Sequence, residues 1–189
     1  MRVSITGHRP QHLGGFDNTK NRCRPIKQAL AKEFGKLFTN PGADYLFSGM
    51  ALGVDQWAVE VALDLGIRVI AAVPCQAHES RRPEASQEHY HQLLKACHSI
   101  IQVSDLLYDP LLKQMEKRNE VLVDACELLL AVWDGAQKHV DGKGSGTFHC
   151  VWAAKKKGRK ILVLNPTTLE VREYSYAKSC GMPACVTEL

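Results

Sequence analysis

The sequence predicts an α/β fold, a three-layer sandwich in which helices cover both faces of a mainly parallel central sheet. Three observations predict it. Short apolar runs alternate along the chain with longer amphipathic ones. The short runs are apolar throughout rather than at every second residue, as strands buried on both faces must be. The segments after them are polar or glycine-bearing, as loops at the ligand-binding edge of such a sheet are.

Residues 2–6, "RVSIT", read as the first strand and run into the loop "GHRPQHLGGFD". A helix follows from Pro25 to Phe38, with proline suited to a first turn and Ile26, Leu30, Phe34 and Leu37 on the buried side. "DYLF" is short, apolar and strand-like, and "SGMALG" leads into a helix whose apolar positions Val54, Trp57, Ala58, Val61 and Leu65 recur at helical spacing. "IRVIAAVP" is a buried strand, residues 83–96 a polar helix, and "HSIIQVS" another strand. The spacing then predicts a helix over "DPLLKQMEKRNEVLVDAC", a strand in "ELLLAVWD", a helix in "GTFHCVWAAKKKG" and a strand in "KILVLN". "TLEVREYSY" fits an added edge strand, with a surface tail after it.

With 189 residues and 45% hydrophobic composition, the chain suits one domain, its core over residues 1–165 and a C-terminal extension over 166–189. A formal charge of +4 tolerates anionic ligands without implying a nucleic-acid scaffold. No apolar run reaches membrane-spanning length and "MRVSITGH" turns polar too soon for a signal peptide, so a cytoplasmic protein without membrane contact is expected. The seven cysteines are odd in number and form no CxxC pair, which points to reduced thiols. No metal site is expected: His89 and His91 do not share a helix face, and Cys180 and Cys185 lack a second ligand pair. No cofactor is expected either.

The loops "TGHRP", "SGMALG", "PCQAHE" and "WDGAQKHVDGKGSGT" should meet on one sheet edge. Unpaired N–H groups and the dipole of a helix start attract anions, and glycine admits a ligand to the backbone. Gly49 and Gly53 fit that role beside Ser48, although a tight turn and a close helix contact would explain them equally. "GKGSGT" opens a second helix and offers Gly144, Ser145, Gly146 and Thr147. No Walker lysine follows and GxGxxG is absent, which disfavours a magnesium triphosphate and leaves a single phosphate or a ribose phosphate.

Leu111, Met115, Arg118, Leu122 and Ala125 fall on one helical stripe. Arg118 within it either lays its stem on the core and reaches water, or presents its planar fork to a phosphate. Asp55, Glu79 and Asp134 are the carboxylates expected near the edge, with a helix cap the alternative for Asp55 and a strand-ending turn for Asp134. The first loop adds Thr6, Gly7, His8 and Arg9; His8 is either a phosphate contact or acid/base, or a solvated surface group. Trp57 and Trp133 are expected in the core.

Together "TGHRP", "SGMALGVDQWAVEVA", "VPCQAHE", "QMEKRNEVLVDACELLLAVWDG" and "GSGT" resemble the SLOG superfamily, nearest its YpsA-like group, over residues 1–165. The resemblance implies a Rossmann-like fold. Relatives include LOG-type phosphoribohydrolases, which release a base from a nucleoside monophosphate, and the DNA-processing DprA/Smf proteins. The LOG pattern pairs a helical arginine with a GGxGTxxE loop; "MEKRN" offers Arg118, and "KGSGTFHC" supplies Gly144, Gly146 and Thr147, with Cys150 where the glutamate would stand.

The expected function is therefore binding of a small-molecule nucleotide or nucleotide derivative in a phosphate and ribose cradle, for sensing or processing. N-glycosidic hydrolysis is the alternative, with Arg118 holding phosphate and Asp55 or Glu79 supporting an oxocarbenium-like state in place of the missing glutamate. A DprA-like single-stranded DNA binder is a third reading, resting on "KKKGRK" at 155–160; nucleic acid is disfavoured because no aromatic residues interleave with these cations. A homo-oligomer fits the resemblance, since related folds present helices for dimer contacts.

Overall fold

The computed structural model describes residues 1–17, 19, 21–40, 42–138 and 145–174. Gly144, Cys180 and Cys185 lie outside the described residues. Seven strands form one sheet: β1 (Arg2–Gly7), β2 (Tyr45–Ser48), β3 (Arg68–Val73), β4 (Ser99–Gln102), β5 (Leu128–Val132), β6 (Lys160–Leu164) and β7 (Val171–Glu173). Their order is β4-β3-β2-β1-β5-β6-β7, with β1 to β6 parallel and β7 antiparallel to β6. The edge strand expected near residue 170 is thus present, shortened to three residues.

The helices are α1 (Cys23–Leu37), α2 (Val54–Asp64), α3 (Glu84–Ala96), α4 (Gln114–Ala125) and α5 (Gly146–Lys156). On one face of the sheet, Val3, Ile5, Leu46, Val69 and Leu130 pack against Ile26, Leu30 and Phe34 of α1, Val54 and Ala58 of α2 and Tyr90 of α3. On the other, Leu129, Ala131, Ile161 and Val163 meet Val123 of α4 and Cys150, Val151 and Ala154 of α5. Adjacent strand residues therefore serve opposite layers, and β5 is apolar at all five positions because both its faces are covered. Trp57 and Trp133 are buried in these two layers.

One helix differs from the expectation. The run 109–126 is broken at Lys113, whose φ of 49° is left-handed, into a short 3₁₀ turn over Pro110–Leu112 and α4. The buried side chain of Gln114 enforces the break: Oε1 accepts the amide of Asp109, and Nε2 donates to the carbonyl of Leu107 and the hydroxyl of Ser104. Leu111 consequently leaves the expected stripe and is 88% exposed.

The chain runs outward from β1 to β4 and then crosses back to place β5 on the other side of β1. At this reversal the loops after β1 and β5 part, opening a crevice at the carboxyl ends of the strands. Helices α4 and α5 border it and are tied together at their far ends. Arg159 donates from Nε to the carbonyl of Val123 at 3.1 Å and from Nη2 to that of Asp124 at 3.1 Å, where the last carbonyls of α4 need donors.

Candidate functional site

Strand β1 delivers Thr6, Gly7 and His8 to the crevice. Gly7 has to be glycine because a Cβ there would lie 2.5 Å from Cγ1 of Val54, so α2 rests directly on the strand end. His8 is buried, and its Nε2 is 3.0 Å from Oδ1 of Asp134, which follows β5. The pair ties together the two loops that diverge at the reversal. Burial opposes ionisation of Asp134, but the amide of Ala136 and the ring of His8 hold its carboxyl below the usual carboxylate range.

The glycines of "SGMALG" are explained by protein contacts. A Cβ on Gly49 would sit 1.5 Å from Nη1 of Arg118, so this glycine lets the guanidinium lie across the backbone after β2. Gly53 has a φ of +95°, and a Cβ would meet the carbonyl oxygen of His8 at 2.7 Å. That carbonyl accepts the amide of Val54 at 3.3 Å, so the start of α2 is engaged by the first loop. Ser48 closes the turn internally, accepting from the amide of Met50 at 3.2 Å and donating to the carbonyl of Asp55 at 3.1 Å.

Arg118 comes from the middle of α4 and its side chain is 11% exposed. Nη1 lies 3.4 Å from Oδ2 of Asp55, whose other contact is the amide of Ala51 at 3.3 Å. Burial pushes the Asp55 carboxyl up, against the pull of Arg118. The Nε of Arg118 is buried and has no hydrogen-bond partner among the described residues.

Helix α5 completes the crevice. The hydroxyl of Ser145 accepts the amide of Phe148 at 3.2 Å as an N-cap, and the amide of Ser145 donates to the carbonyl of Gln137 at 3.1 Å. Gly146 and Thr147 face the cleft with first-turn amides that have no acceptor within the helix. Cys150 is one turn further on and fully buried. Its thiol is pushed up to about 12, chiefly by burial, with Arg118 lowering it and Asp55 raising it. It is a neutral thiol in the apolar layer with Val123, Val151 and Ala154, lining neither lobe, rather than a stand-in for a carboxylate.

The resulting cleft has a volume of about 380 Å³ and is lined by Thr6, Gly7, His8, Arg9, Asp55, Arg118, Gly146 and Thr147, together with Gln11, His12, Ala51, Met115 and Asn119. A second lobe of about 310 Å³ shares Arg9, Gln11, Ala51, Met115 and Arg118, and adds Gly49, His78, Arg81 and Arg82. Ser48, Gly53, Asp134 and Ser145 act as supports and do not line either lobe. Glu79 is turned away, with Oε1 3.3 Å from His91 Nε2 and Oε2 3.6 Å from His78 Nδ1.

Sequence reasoning overlooked Asn119, His78, Arg81 and Arg82. The last three were accessible from "HESRR", a histidine and two adjacent arginines in the loop after a buried strand. Burial, joined by the charge of Arg82, lowers His78 to about 3. The ring is neutral, and its Nε2 accepts Nη2–H of Arg82 at 2.8 Å. No aromatic residue interleaves with the basic run, but one stands beside it. Trp152 is 43% exposed, stacks on Phe148 at 6.2 Å, and has the ammonium groups of Lys155 and Lys156 4.9 and 5.6 Å from its ring centre. It precedes the run by one helical turn, and the helix brings its ring beside the first two lysines.

Among the described residues, no helix is long and apolar enough to cross a membrane. The chain is 28% identical over 176 residues to a UPF0398 protein of Halalkalibacterium halodurans, covering 89% of both chains. In solved structures, it resembles a DNA processing protein A from Helicobacter pylori, with its single-stranded DNA binding mode, at a TM-score of 0.57 and 20% identity over 87% of this chain. It spans 65% of that protein and half of its Streptococcus pneumoniae counterpart. It also resembles the molybdenum cofactor carrier protein of Chlamydomonas reinhardtii, at a TM-score of 0.51 and 18% identity, covering 88% of this chain and 79% of that one. These likenesses support the Rossmann-like α/β fold already traced strand by strand. The model of the YspA SLOG family, YpsA, matches residues 3–168, and the chain belongs to that family.

Proposed function

We propose that this protein binds a nucleotide or nucleotide derivative in the crevice between β1 and β5, for sensing or processing. The observation that carries the reading is Arg118. A buried guanidinium is held over Gly49 by Asp55, lines the cleft, and keeps an Nε–H without a partner among the described residues. A covered cationic donor without a partner is costly to the empty protein, and a small turn of this guanidinium, which lines the cleft, would give its fork to a phosphate oxygen. The amides of Gly146 and Thr147 add a helix start to the same cleft. Thr6, Gly7 and His8 then border the ribose, supported from behind by Ser48, Gly53, Asp134 and Ser145.

Hydrolysis of the N-glycosidic bond is the second reading, and Asp55 favours it as the carboxylate that lines the cleft among the described residues. In this role Arg118 holds the phosphate while Asp55 supports positive charge at the anomeric carbon and orients a water. The C–N bond breaks as the water oxygen bonds to carbon, and the departing base takes up the proton. Glu79, engaged by two histidines outside both lobes, has the weaker claim.

The experiment is chromatography with mass detection on nucleoside monophosphates, NAD and ADP-ribose incubated with wild-type protein and Arg118→Ala. Retention of one compound without conversion, lost in the variant, supports binding; released base or nicotinamide that depends on Arg118 and Asp55 supports hydrolysis. The absence of both retention and release overturns both readings. Single-stranded DNA is a third ligand class, favoured by the Trp152, Lys155 and Lys156 surface. A DNA titration at low salt that leaves Trp152 fluorescence unchanged removes it.

A further inference from the structure

The second lobe has a charge composition that one phosphate does not explain. Arg9, Arg81, Arg82 and Arg118 line it together with His78, and among the described residues no carboxylate does. Asp55 belongs to the first lobe, and Glu79 is held by His78 and His91. Asp55 pairs with Arg118, and Asp55 and Glu79 offset part of the charge of Arg82, which still leaves four guanidinium groups against two carboxylates around about 310 Å³, an excess that an anion relieves.

Arg82 is held in a fixed pose. Nη2 donates to Nε2 of His78 at 2.8 Å, Nδ1 of the same ring is 3.3 Å from the hydroxyl of Tyr90, and the guanidinium carbon lies 5.0 Å from the centre of the Tyr90 ring. A ring nitrogen on one side and an aromatic face on another orient the fork. Its Nη1 is buried without a hydrogen-bond partner among the described residues, as is Nε of Arg118. Two cationic donors without a partner among the described residues therefore belong to guanidinium groups that line one lobe, each atom covered in this conformation.

We infer that this lobe is a second anion subsite, and that the ligand is a small nucleotide carrying a second phosphate group. The inference rests on the nucleotide reading above and names the class of nucleotide. Arg9 and Arg118 line both lobes, so they stand between the two phosphate positions. Each lobe alone is at the small end of ligand pockets, which hold roughly 300–1,000 Å³. A mononucleotide in the first lobe leaves the second for an additional group, and the planar arginine forks suit phosphate oxygens.

The test is calorimetry with the 5′-monophosphates, 5′-diphosphates and 3′,5′-bisphosphates of adenosine and guanosine, on wild type, Arg82→Gln and Arg81→Gln. Wild type binds at least one doubly phosphorylated form about tenfold or more tighter than its monophosphate. Arg82→Gln abolishes that preference while monophosphate affinity stays within about twofold. Arg81→Gln, at an exposed residue that lines only this lobe, reduces the preference without threatening the fold. A preference for the diphosphate puts the two phosphates in series; a preference for the bisphosphate puts them on separate ribose positions.

Monophosphate binding with no gain from a second phosphate overturns this inference alone. So does a preference that survives in both folded variants. Absence of binding by every nucleotide overturns the parent reading and this one with it.

Discussion

Gly49→Ala displaces Arg118 without removing its charge. The backbone of Gly49 lies outside the left-handed region, so alanine suits it, and the conflict is with the side chain alone. Nη1 is 1.5 Å from the position of the new Cβ and has to retreat by about 2 Å to reach van der Waals contact. Hydrogen bonds do not survive such a shift. A charge-assisted hydrogen bond contributes about 1.5–3 kcal/mol, so AMP should bind roughly 10- to 150-fold more weakly. Calorimetry on wild type, Gly49→Ala, Arg118→Ala and the double variant reads the effect as a cycle. If Gly49 acts through Arg118, the double variant binds like Arg118→Ala. Unchanged affinity in a folded Gly49→Ala protein, or additive losses in the double variant, would refute the reasoning.

Gly53→Ala should be a stability variant: with φ at +95° and a carbonyl 2.7 Å from the new Cβ, a loss of about 3 kcal/mol is expected in urea unfolding, and a loss below about 1 kcal/mol would contradict the strain argument. His78 gives a pH dependence of definite sign. Its folded pKa of about 3 lies below its ordinary 6.5, so its contribution is complete above pH 6.5 and declines as pH falls towards 3. Between pH 7 and pH 5 the loss is about 2 kcal/mol, which His78→Gln should remove from the difference between urea melts at the two pH values. Cys150, buried and neutral, should resist iodoacetamide at pH 8 in the native protein and react in urea; peptide mapping that finds it alkylated at equal rates would show the thiol is exposed.

The sheet was legible because its signal is local. Runs such as "LLLAV" carry their double burial in composition, and their alternation with amphipathic segments fixes the layers. The break at Lys113 was not legible, because it depends on the amide of Gln114 reaching back to Asp109, Leu107 and Ser104. The glycines of "SGMALG" mark the same boundary. Their sequence left a phosphate, a tight turn and a close helix contact all open, and their geometry adds a guanidinium from α4 and a carbonyl from the loop after β1, neither near them in the chain. Arg118 stood out as a charge within an apolar stripe. Arg82 did not, because its orientation depends on His78 and Tyr90, and Tyr90 sits on α3 beyond the loop.

The contact of Arg159 with the last carbonyls of α4 has a mechanical meaning. Arg118 rides on α4, while Gly146 and Thr147 begin α5, so the two helices are levers whose working ends meet across the cleft. Arg159 joins them near the opposite end through the carbonyls of Val123 and Asp124. Arg159 adds to the packing of Val123 on Val151 and Ala154 a tie remote from the ligand, on which the spacing of guanidinium and helix amides also depends. Arg159→Ala is therefore expected to weaken nucleotide binding with every residue that lines the cleft left intact.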